Sequence, residues 1–304
     1  MRLSAILFGL VFICAAIALA VPPPQDEDDV RGAFLTSRPK EKPASSSTAR
    51  PSRRRPKNTG TTTTAKSSDK PTEKSPDKTT PKNSGSTAKV PDSRPVNARR
   101  LGLGMTLFSR DSNGLAVRVD PSRVFRKGDR VRILLETNTD GYLYIFNRTN
   151  DGAPVMIYPD AEIDEGGNYL QAHVPFEIPA PDASEERLRW FAFDENTGTE
   201  KVFFVFTREP LKNVPIEDDL LAFCRNSKCP WPVETGVWDL VVAQMHEPLK
   251  QDSAKTFGTA QTSTEHNAST RGLGLSKDDP EPSLIMMASS TKPTLVATLD
   301  LIHK

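Results

Sequence analysis

The chain has 304 residues, of which 36% are hydrophobic and 26% charged, and 26 of them are prolines. A hydrophobic share this low excludes a chain that is folded throughout, because a segment without apolar side chains cannot offset the entropy lost on ordering. The formal net charge of +1 conceals two regions of opposite sign. Residues 38–100 hold about 17 basic against 5 acidic side chains, and residues 101–304 hold about 21 against 30, so a basic arm precedes an acidic body.

Residues 1–20 have the features of a secretory signal peptide. Arg2 gives a short positive start, an apolar run reaches residue 18, and Ala18-Leu19-Ala20 is a small-x-small cleavage sequence. We predict cleavage between Ala20 and Val21, and therefore an exported protein of the periplasm or the extracellular space. A retained membrane anchor is the alternative, and the three prolines at positions 22–24 argue against it.

The region from residue 21 to residue 99 consists mainly of Ser, Thr, Pro and Lys. This composition predicts a disordered basic linker. Its most basic point, Arg53-Arg54-Arg55, leaves two interpretations open: a solvated tether, or an arm that binds an anionic polymer or lipid headgroups of the cell envelope. Nucleic acid is not expected as a partner, because no aromatic residues interleave with the basic ones and the protein is predicted to be exported.

A core β domain is predicted from residue 100 to residue 210, and its strongest signal runs from Gly128 to Asn147. Val131, Ile133 and Leu135 alternate with mostly polar residues, the pattern of a half-buried strand. A polar turn and an aromatic, β-branched run over residues 142–146 follow. We predict a β-hairpin here, with Gly141 available to supply a positive φ in its turn.

The segment KVFFVFT, residues 201–207, is a continuous apolar run and predicts a central strand that is buried on both faces. Shorter β-type runs lie on both sides of it in the sequence. Together they predict a mainly β fold, a small antiparallel β-sandwich of about seven or eight strands with one or two appended helices.

Three regions follow the predicted sandwich. Residues 211–248 predict the helical appendage, in which an even pair of cysteines, Cys224 and Cys229, favours a disulfide in an exported chain. Residues 249–290 are polar and predict a disordered insert. Residues 291–304 alternate as a terminal strand, which we expect to pair with the core sheet that contains the hairpin.

Neither a cofactor nor a metal ion is predicted. Asp160, Glu162 and Asp164 have the alternating spacing of calcium ligands, but Gln171 stands where an EF-hand loop has its bidentate glutamate. A zinc site at the cysteines would need two more ligands, and no histidine lies close by in the sequence. No catalytic motif occurs, so a hydrolase is retained only as an alternative in which scattered carboxylates such as Asp160, Asp164 and Asp194 converge.

Five short motifs occur in order within residues 119–210. They are Gly128-Asp129, the run NTDGYLY at 138–144, Tyr158-Pro159, Ile178-Pro179, and Gly198-Thr199-Glu200 before the 201–207 strand. This order resembles a bacterial family filed as domain of unknown function 4384, whose members are mostly exported or envelope-associated. No activity is established for that family, so the resemblance implies a fold and a location but no catalytic residues.

These observations favour a non-catalytic binding or interaction module of the cell envelope. Its expected partner is another envelope protein or an anionic envelope polymer, with membrane contact only through export. Asp140, Tyr142 and Tyr144 are the binding candidates, although aromatic residues in such strands more often form the core. A hydrolase of an envelope polymer and a structural spacer are the alternatives.

Overall fold

The computed structural model of the protein describes residues 29–41, 54, 99–160, 167–226, 229–254 and 256–304. The predicted signal peptide with its cleavage site lies outside the described residues, as do Glu162 and Asp164 of the calcium candidate. None of the helices within the described ranges is long and apolar enough to cross a membrane.

The described chain forms thirteen strands and four α-helices. The strands are β1 Gly102–Arg110, β2 Ala116–Arg118, β3 Val124–Phe125, β4 Arg130–Thr137, β5 Gly141–Thr149, β6 Val155–Tyr158, β7 Tyr169–Leu170, β8 Phe176–Ile178, β9 Phe191–Ala192, β10 Gly198–Thr207, β11 Leu249–Ser253, β12 Leu284–Ala288 and β13 Thr294–His303. The helices are α1 Val30–Leu35, α2 Glu217–Asn226, α3 Thr235–Met245 and α4 Ser263–Arg271.

The strands form two sheets that pack face to face. Sheet I has seven strands in the order β11-β12-β1-β4-β8, with β2 beside β1 and β9 beside β4. Sheet II has six in the order β3-β13-β10-β5-β6, with β7 beside β5. The prediction of a mainly β sandwich is confirmed, with more strands than expected because each sheet also includes short strands of two to five residues.

Alternation along the strands selects the side chains of the main core. On β4 the inward residues are Val131, Ile133 and Leu135, and on β10 the inward set includes Phe204 and Phe206. Phe203 and Val205 of β10 face the opposite way, into a second apolar cluster under the helices. β10 is therefore buried on both faces between β5 and β13, as its continuous apolar run predicts.

The predicted hairpin over residues 128–147 is wrong. Its two strands, β4 and β5, lie in different sheets: β4 pairs with β1, and β5 pairs with β10. Alternation correctly identified each strand and its buried face, but it carries no information about which strand is the neighbour. The terminal strand β13 does pair with the sheet that contains β5, through β10.

The helical appendage covers the outer face of sheet II. The second apolar cluster joins outward residues of β5 and β10 to residues of the appendage, including Val237 and Val241 of α3. Cys224, in the last turn of α2, forms the predicted disulfide with Cys229. Residues 217–226 and 235–245 form two helices, in agreement with the one or two that the sequence predicts.

Two regions that were predicted to be disordered are folded, and they supply strands of sheet I and segments that cover its outer face. Residues 249–290 contain β11, α4 and β12, and β12 pairs with both β11 and β1. Residues 29–41, from the predicted linker, form α1 and a following turn, and Phe34 and Arg38 of this segment are fully buried. β12 folds because its run LIMMA is apolar and buried, whereas α4 and the turn after α1 are held by buried charged residues in pairs.

Candidate functional site

A cleft of about 290 Å³ opens between the two sheets at one end of the sandwich. We call it the end cleft. Its apolar walls come from the inner faces of both sheets, and its polar residues lie on β5, β10, β13 and the segment after β9. The lining residues are Val131, Ile133, Asn147, Thr149, Ile157, Phe191, Ala192, Phe193, Asp194, Glu200, Val202, Leu301 and His303.

The inner face of sheet II changes from apolar to polar at this end. On β5, Asn147 and Thr149 continue the inward row that begins with Leu143 and Ile145. On β10, Glu200 is in phase with the inward residues at 202, 204 and 206. Asn147 Nδ2 and Thr149 Oγ1 donate to Glu200 Oε2 over 2.7 Å and 2.8 Å, so the carboxylate is held in place by its neighbouring strand.

An aromatic stack at the same end of the sandwich joins the segment after β9 to β3 and β13 of sheet II. The ring of Phe193 lies 4.7 Å from that of Phe125 and 5.0 Å from the imidazole of His303, measured between centroids. Asp194 follows at the exposed rim. Hydrogen bonds from the backbone and side-chain N–H groups of Asn196 lower the pKa of Asp194, and nearby His303 adds to the effect.

The polar groups of the end cleft are mainly hydrogen-bond acceptors. Glu200 and Asp194 supply carboxylate oxygens. Asn147 Oδ1 is buried and has no hydrogen-bond partner within the part of the chain that the structure describes. An acceptor set above apolar walls suits a ligand that has an aliphatic body and a positively charged or strongly donating end.

The residues predicted for binding lie elsewhere. Tyr142 and Tyr144 point outward from sheet II into the cluster under the helices and are 3% and 0% exposed. Burial raises the pKa of Tyr144 to about 12, and its hydroxyl oxygen accepts a hydrogen bond from the Leu211 backbone N–H at 2.9 Å. Asp140 is exposed and accepts hydrogen bonds from the Tyr169 hydroxyl and the Ala172 N–H. All three have structural contacts, and a binding role for them stays a prediction.

The carboxylates of the predicted hydrolase alternative are divided. Asp194 lines the end cleft and Asp160 does not, while Asp164 lies outside the described residues. No group of three or more potential metal ligands occurs among the described residues.

A second polar cluster lies on the outer face of sheet I. Its three buried arginine–glutamate pairs are Arg38–Glu136, Arg118–Glu265 and Arg132–Glu177. Burial of Glu136 opposes its ionisation, but hydrogen bonds from His173 and Arg38 outweigh this and lower its pKa below the ordinary value. The carboxylate is therefore held as an anion beside the Arg38 guanidinium.

Ser37, His173 and Glu136 form a hydrogen-bonded chain beside this cluster. Ser37 Oγ lies 2.9 Å from His173 Nε2, and His173 Nδ1 lies 2.7 Å from Glu136 Oε1. This is the order of atoms in a serine–histidine–acid relay. Ser37 Oγ also lies 2.5 Å from the Phe34 carbonyl oxygen, so the same hydroxyl closes the turn after α1.

The comparisons with known proteins agree with the family resemblance. Residues 124–210 match the family described as "Domain of unknown function (DUF4384)". The chain therefore carries a DUF4384 region. No curated protein and no solved structure matches the chain.

The DUF4384 region runs from β3 to just beyond β10 and supplies every lining residue of the end cleft except Leu301 and His303. It does not make a complete sandwich by itself. Sheet I also needs β1 and β12, and sheet II needs β13, all of which lie outside the match.

Sequence reasoning did not identify Asn147, Glu200 and His303 as residues of the candidate site. Only His303 has a signal in the phase of its strand, because the other inward residues of β13 are apolar and alternate with more polar ones. β5 and β10 are apolar on both faces, so their phase does not show which side Asn147 and Glu200 take. A polar residue that keeps the core phase near a strand end is the pattern that would have indicated a cleft.

Proposed function

We propose that the protein is a non-catalytic interaction module of the bacterial cell envelope, and that its end cleft receives an aliphatic cationic side chain of a partner protein. The observation that carries this proposal is Glu200, an inward carboxylate that Asn147 and Thr149 hold at the open end of the core. The cleft residues sit on paired strands of a rigid scaffold, which is where precise binding groups are best positioned.

The dimensions of the end cleft support a side chain as its ligand. About 290 Å³ is at the small end of the range of ligand pockets, which suits one extended side chain. The methylene groups of lysine or arginine would cover the apolar walls formed by Val131, Ile133 and Leu301. The charged end would then meet Glu200 and Asp194. Of the two partner classes considered from the sequence, an anionic polymer is disfavoured at this cleft by its carboxylates.

The envelope location rests on two supports. The first is the leader-like sequence of residues 1–20, and the second is the Cys224–Cys229 disulfide, a bond typical of oxidising compartments. Cleavage after Ala20 would leave Val21 as the first residue of the protein recovered from the envelope. Mass spectrometry of that protein tests the location, and an intact residue 1 would contradict cleavage.

Binding to the end cleft is tested with the full mature chain and two small probes. Nα-acetyl-lysine methylamide carries the cationic side chain, and Nα-acetyl-norleucine methylamide is a neutral analogue of similar shape. In an NMR titration we expect only the lysine probe to shift the His303 resonances. Glu200→Gln should weaken this binding at least tenfold, because it removes the negative charge but keeps the size of the side chain.

Glu195→Gln is the matched control for this titration. Glu195 is an exposed carboxylate near the cleft that pairs with Lys127 and does not line the cleft. We expect its substitution to leave the affinity unchanged. Equal binding of the norleucine probe, or equal affinity of the Glu200→Gln chain and wild type, would rule out the proposed role of the cleft.

A serine hydrolase is the second candidate, because Ser37, His173 and Glu136 have the distances of a nucleophile, base and acid. A fluorophosphonate probe separates the two functions. Our proposal expects no labelling of the chain. Labelling that disappears in Ser37→Ala but persists in Ser122→Ala, which changes an exposed serine bonded to Asp120, would instead support the hydrolase.

A further inference from the structure

A groove on the outer face of sheet I holds the N-terminal segment, residues 29–41. The groove follows from the register of three strands. Gly104 of β1 lies between Ile285 of β12 on one side and Glu136 of β4 on the other. The glycine adds no side chain to this row, so an open trough remains between an apolar ridge and a buried carboxylate.

Phe34 of the N-terminal segment fills the floor of the trough. Its ring is 0% exposed and packs against Ile285 and Met287. A Cβ atom at Gly102 would lie 2.9 Å from the Phe34 ring, and one at Gly104 would lie 3.2 Å from it. The two glycines therefore create the space that the ring occupies.

Arg38 enters a pocket at the end of the same trough. Its Nε and Nη2 donate to the two Glu136 oxygens at 2.8 Å and 2.7 Å. The remaining N–H groups donate to the backbone carbonyl oxygens of Ser276, Asp279 and Pro280, at 3.2 Å, 3.0 Å and 3.0 Å. The five donors of a guanidinium thus meet five acceptors, a set that the single ammonium nitrogen of lysine cannot satisfy.

The N-terminal segment has the form of a peptide ligand. It is a short amphipathic helix and turn that presents Phe34 and Arg38, four residues apart, to a groove formed by distant parts of the chain. It is joined to β1 by the 60 residues numbered 42–101, which fully extended would span roughly 200 Å. A connection of that length allows the segment to leave the groove without pulling β1 out of sheet I.

We infer that this groove is a peptide-binding site specific for an arginine-bearing helical segment, and that residues 29–41 are its tethered and exchangeable occupant. The site is separate from the end cleft, so the inference goes beyond the proposed function. A tethered segment competes with any free peptide at an effective concentration on the order of 1 mM. The intact chain should therefore exclude a free copy of its own segment.

The experiment uses the full mature chain and a fluorescently labelled peptide, DVRGAFLTSRPKE, that corresponds to residues 29–41. Arg38→Ala in the chain is expected to release its own segment and leave the groove open. Fluorescence anisotropy should then show the peptide binding to the Arg38→Ala chain at least tenfold more tightly than to wild type. Equal binding to both chains, or no binding to the variant, would overturn the inference.

Peptide variants test specificity without changing the fold of the chain. Arg38→Lys and Phe34→Ala in the peptide should each weaken binding to the open groove at least tenfold. Arg31→Ala is the matched control, because Arg31 makes its ion pairs with Asp252 and Glu281 at a partly exposed position. A lysine peptide that binds as tightly as the parent peptide would contradict arginine recognition.

Circular dichroism will show whether the Arg38→Ala chain folds. If it does not fold, a second experiment tests the inference. A protease site is inserted at Thr61-Thr62 of the otherwise wild-type chain, and the folded protein is cleaved there. The N-terminal fragment should stay with the body on size-exclusion chromatography and be displaced by excess free peptide. The inference would be contradicted if the fragment separates from the body without added peptide, or if excess peptide cannot displace it.

Discussion

Replacing Glu136 with glutamine is expected to lower the free energy of unfolding by about 3–5 kcal/mol, the usual cost of removing one partner of a buried ion pair. The variant leaves the Arg38 guanidinium, whose side chain is fully buried, without its counter-ion. It also weakens the hydrogen bond at His173 Nδ1. Urea denaturation at neutral pH measures the effect.

The control for this prediction is again Glu195→Gln. Glu195 and Lys127 are both largely exposed, so loss of their pair should cost at most about 1 kcal/mol. If the Glu136 variant loses no more stability than the Glu195 variant, the buried pair is not a major contributor.

Because of the Glu136 carboxylate, we expect the free energy of unfolding to depend on pH. The pKa of Glu136 is lowered in the folded state, so below its ordinary value of 4.5 the unfolded chain binds a proton that the folded chain does not. This contribution is complete above that value and is lost as the pH falls towards the lowered pKa. The wild-type chain should therefore lose more stability than Glu136→Gln as the pH falls from about 5 to about 3, and parallel curves over that range would contradict the assignment.

Replacing Gly141 with alanine is the second substitution for which we expect a large loss, about 1–3 kcal/mol. An added Cβ would lie 2.4 Å from the Thr207 carbonyl oxygen and 2.7 Å from the Phe206 ring. The carbonyl belongs to the backbone of β10, so relief of the clash requires the two paired strands to separate. Chemical denaturation measures the loss.

Gly236→Ala provides a matched glycine control. It lies in α3, and a Cβ there would meet nothing within 4 Å. Alanine at this position should be neutral or stabilise the protein by up to about 1 kcal/mol. Equal stability of the two alanine variants would show that β5 and β10 adapt more easily than their geometry indicates.

Gly141 also explains part of the family motif. The sequence interpretation gave it a positive φ in a hairpin turn, but it is not among the positive-φ glycines of the described chain, and no hairpin forms between β4 and β5. It is needed for the close approach of β5 to β10. In the DUF4384 region the glycine before Tyr142 therefore serves strand packing.

Alternation made most strands and the β-sandwich class predictable. The inward row of β4 appears in the sequence with the period of two that a half-buried strand requires, and β10 appears as a continuous apolar run. The helical appendage over residues 211–248 was also predictable, and it contains α2 and α3. Strand neighbours were not, because β1 pairs with β4, and β10 with β5 and β13, across long sequence separations.

The segments that cover the outer face of sheet I were not predicted from the sequence, and the reason is a different one. The buried residues of α4 are Glu265, Ala268 and Ser269, which have no apolar periodicity. Glu265 is buried because Arg118 neutralises it, and Arg38 because Glu136 does. Both partners are distant in sequence, so composition alone classifies these segments as solvated. One residue of the end cleft, by contrast, was within reach of the sequence, because alternation along β13 places His303 inward.

The buried charges of sheet I differ in sign beneath the two segments that cover its outer face, α1 with its turn and α4. α1 and its turn bring a positive residue, Arg38, to a negative position of sheet I, whereas α4 brings a negative residue, Glu265, to the positive Arg118. Exchanging the two segments would set like charges against each other in a poorly solvated layer, at a cost of several kcal/mol. The charge of one buried residue in each segment thus determines the half of sheet I on which that segment can pack.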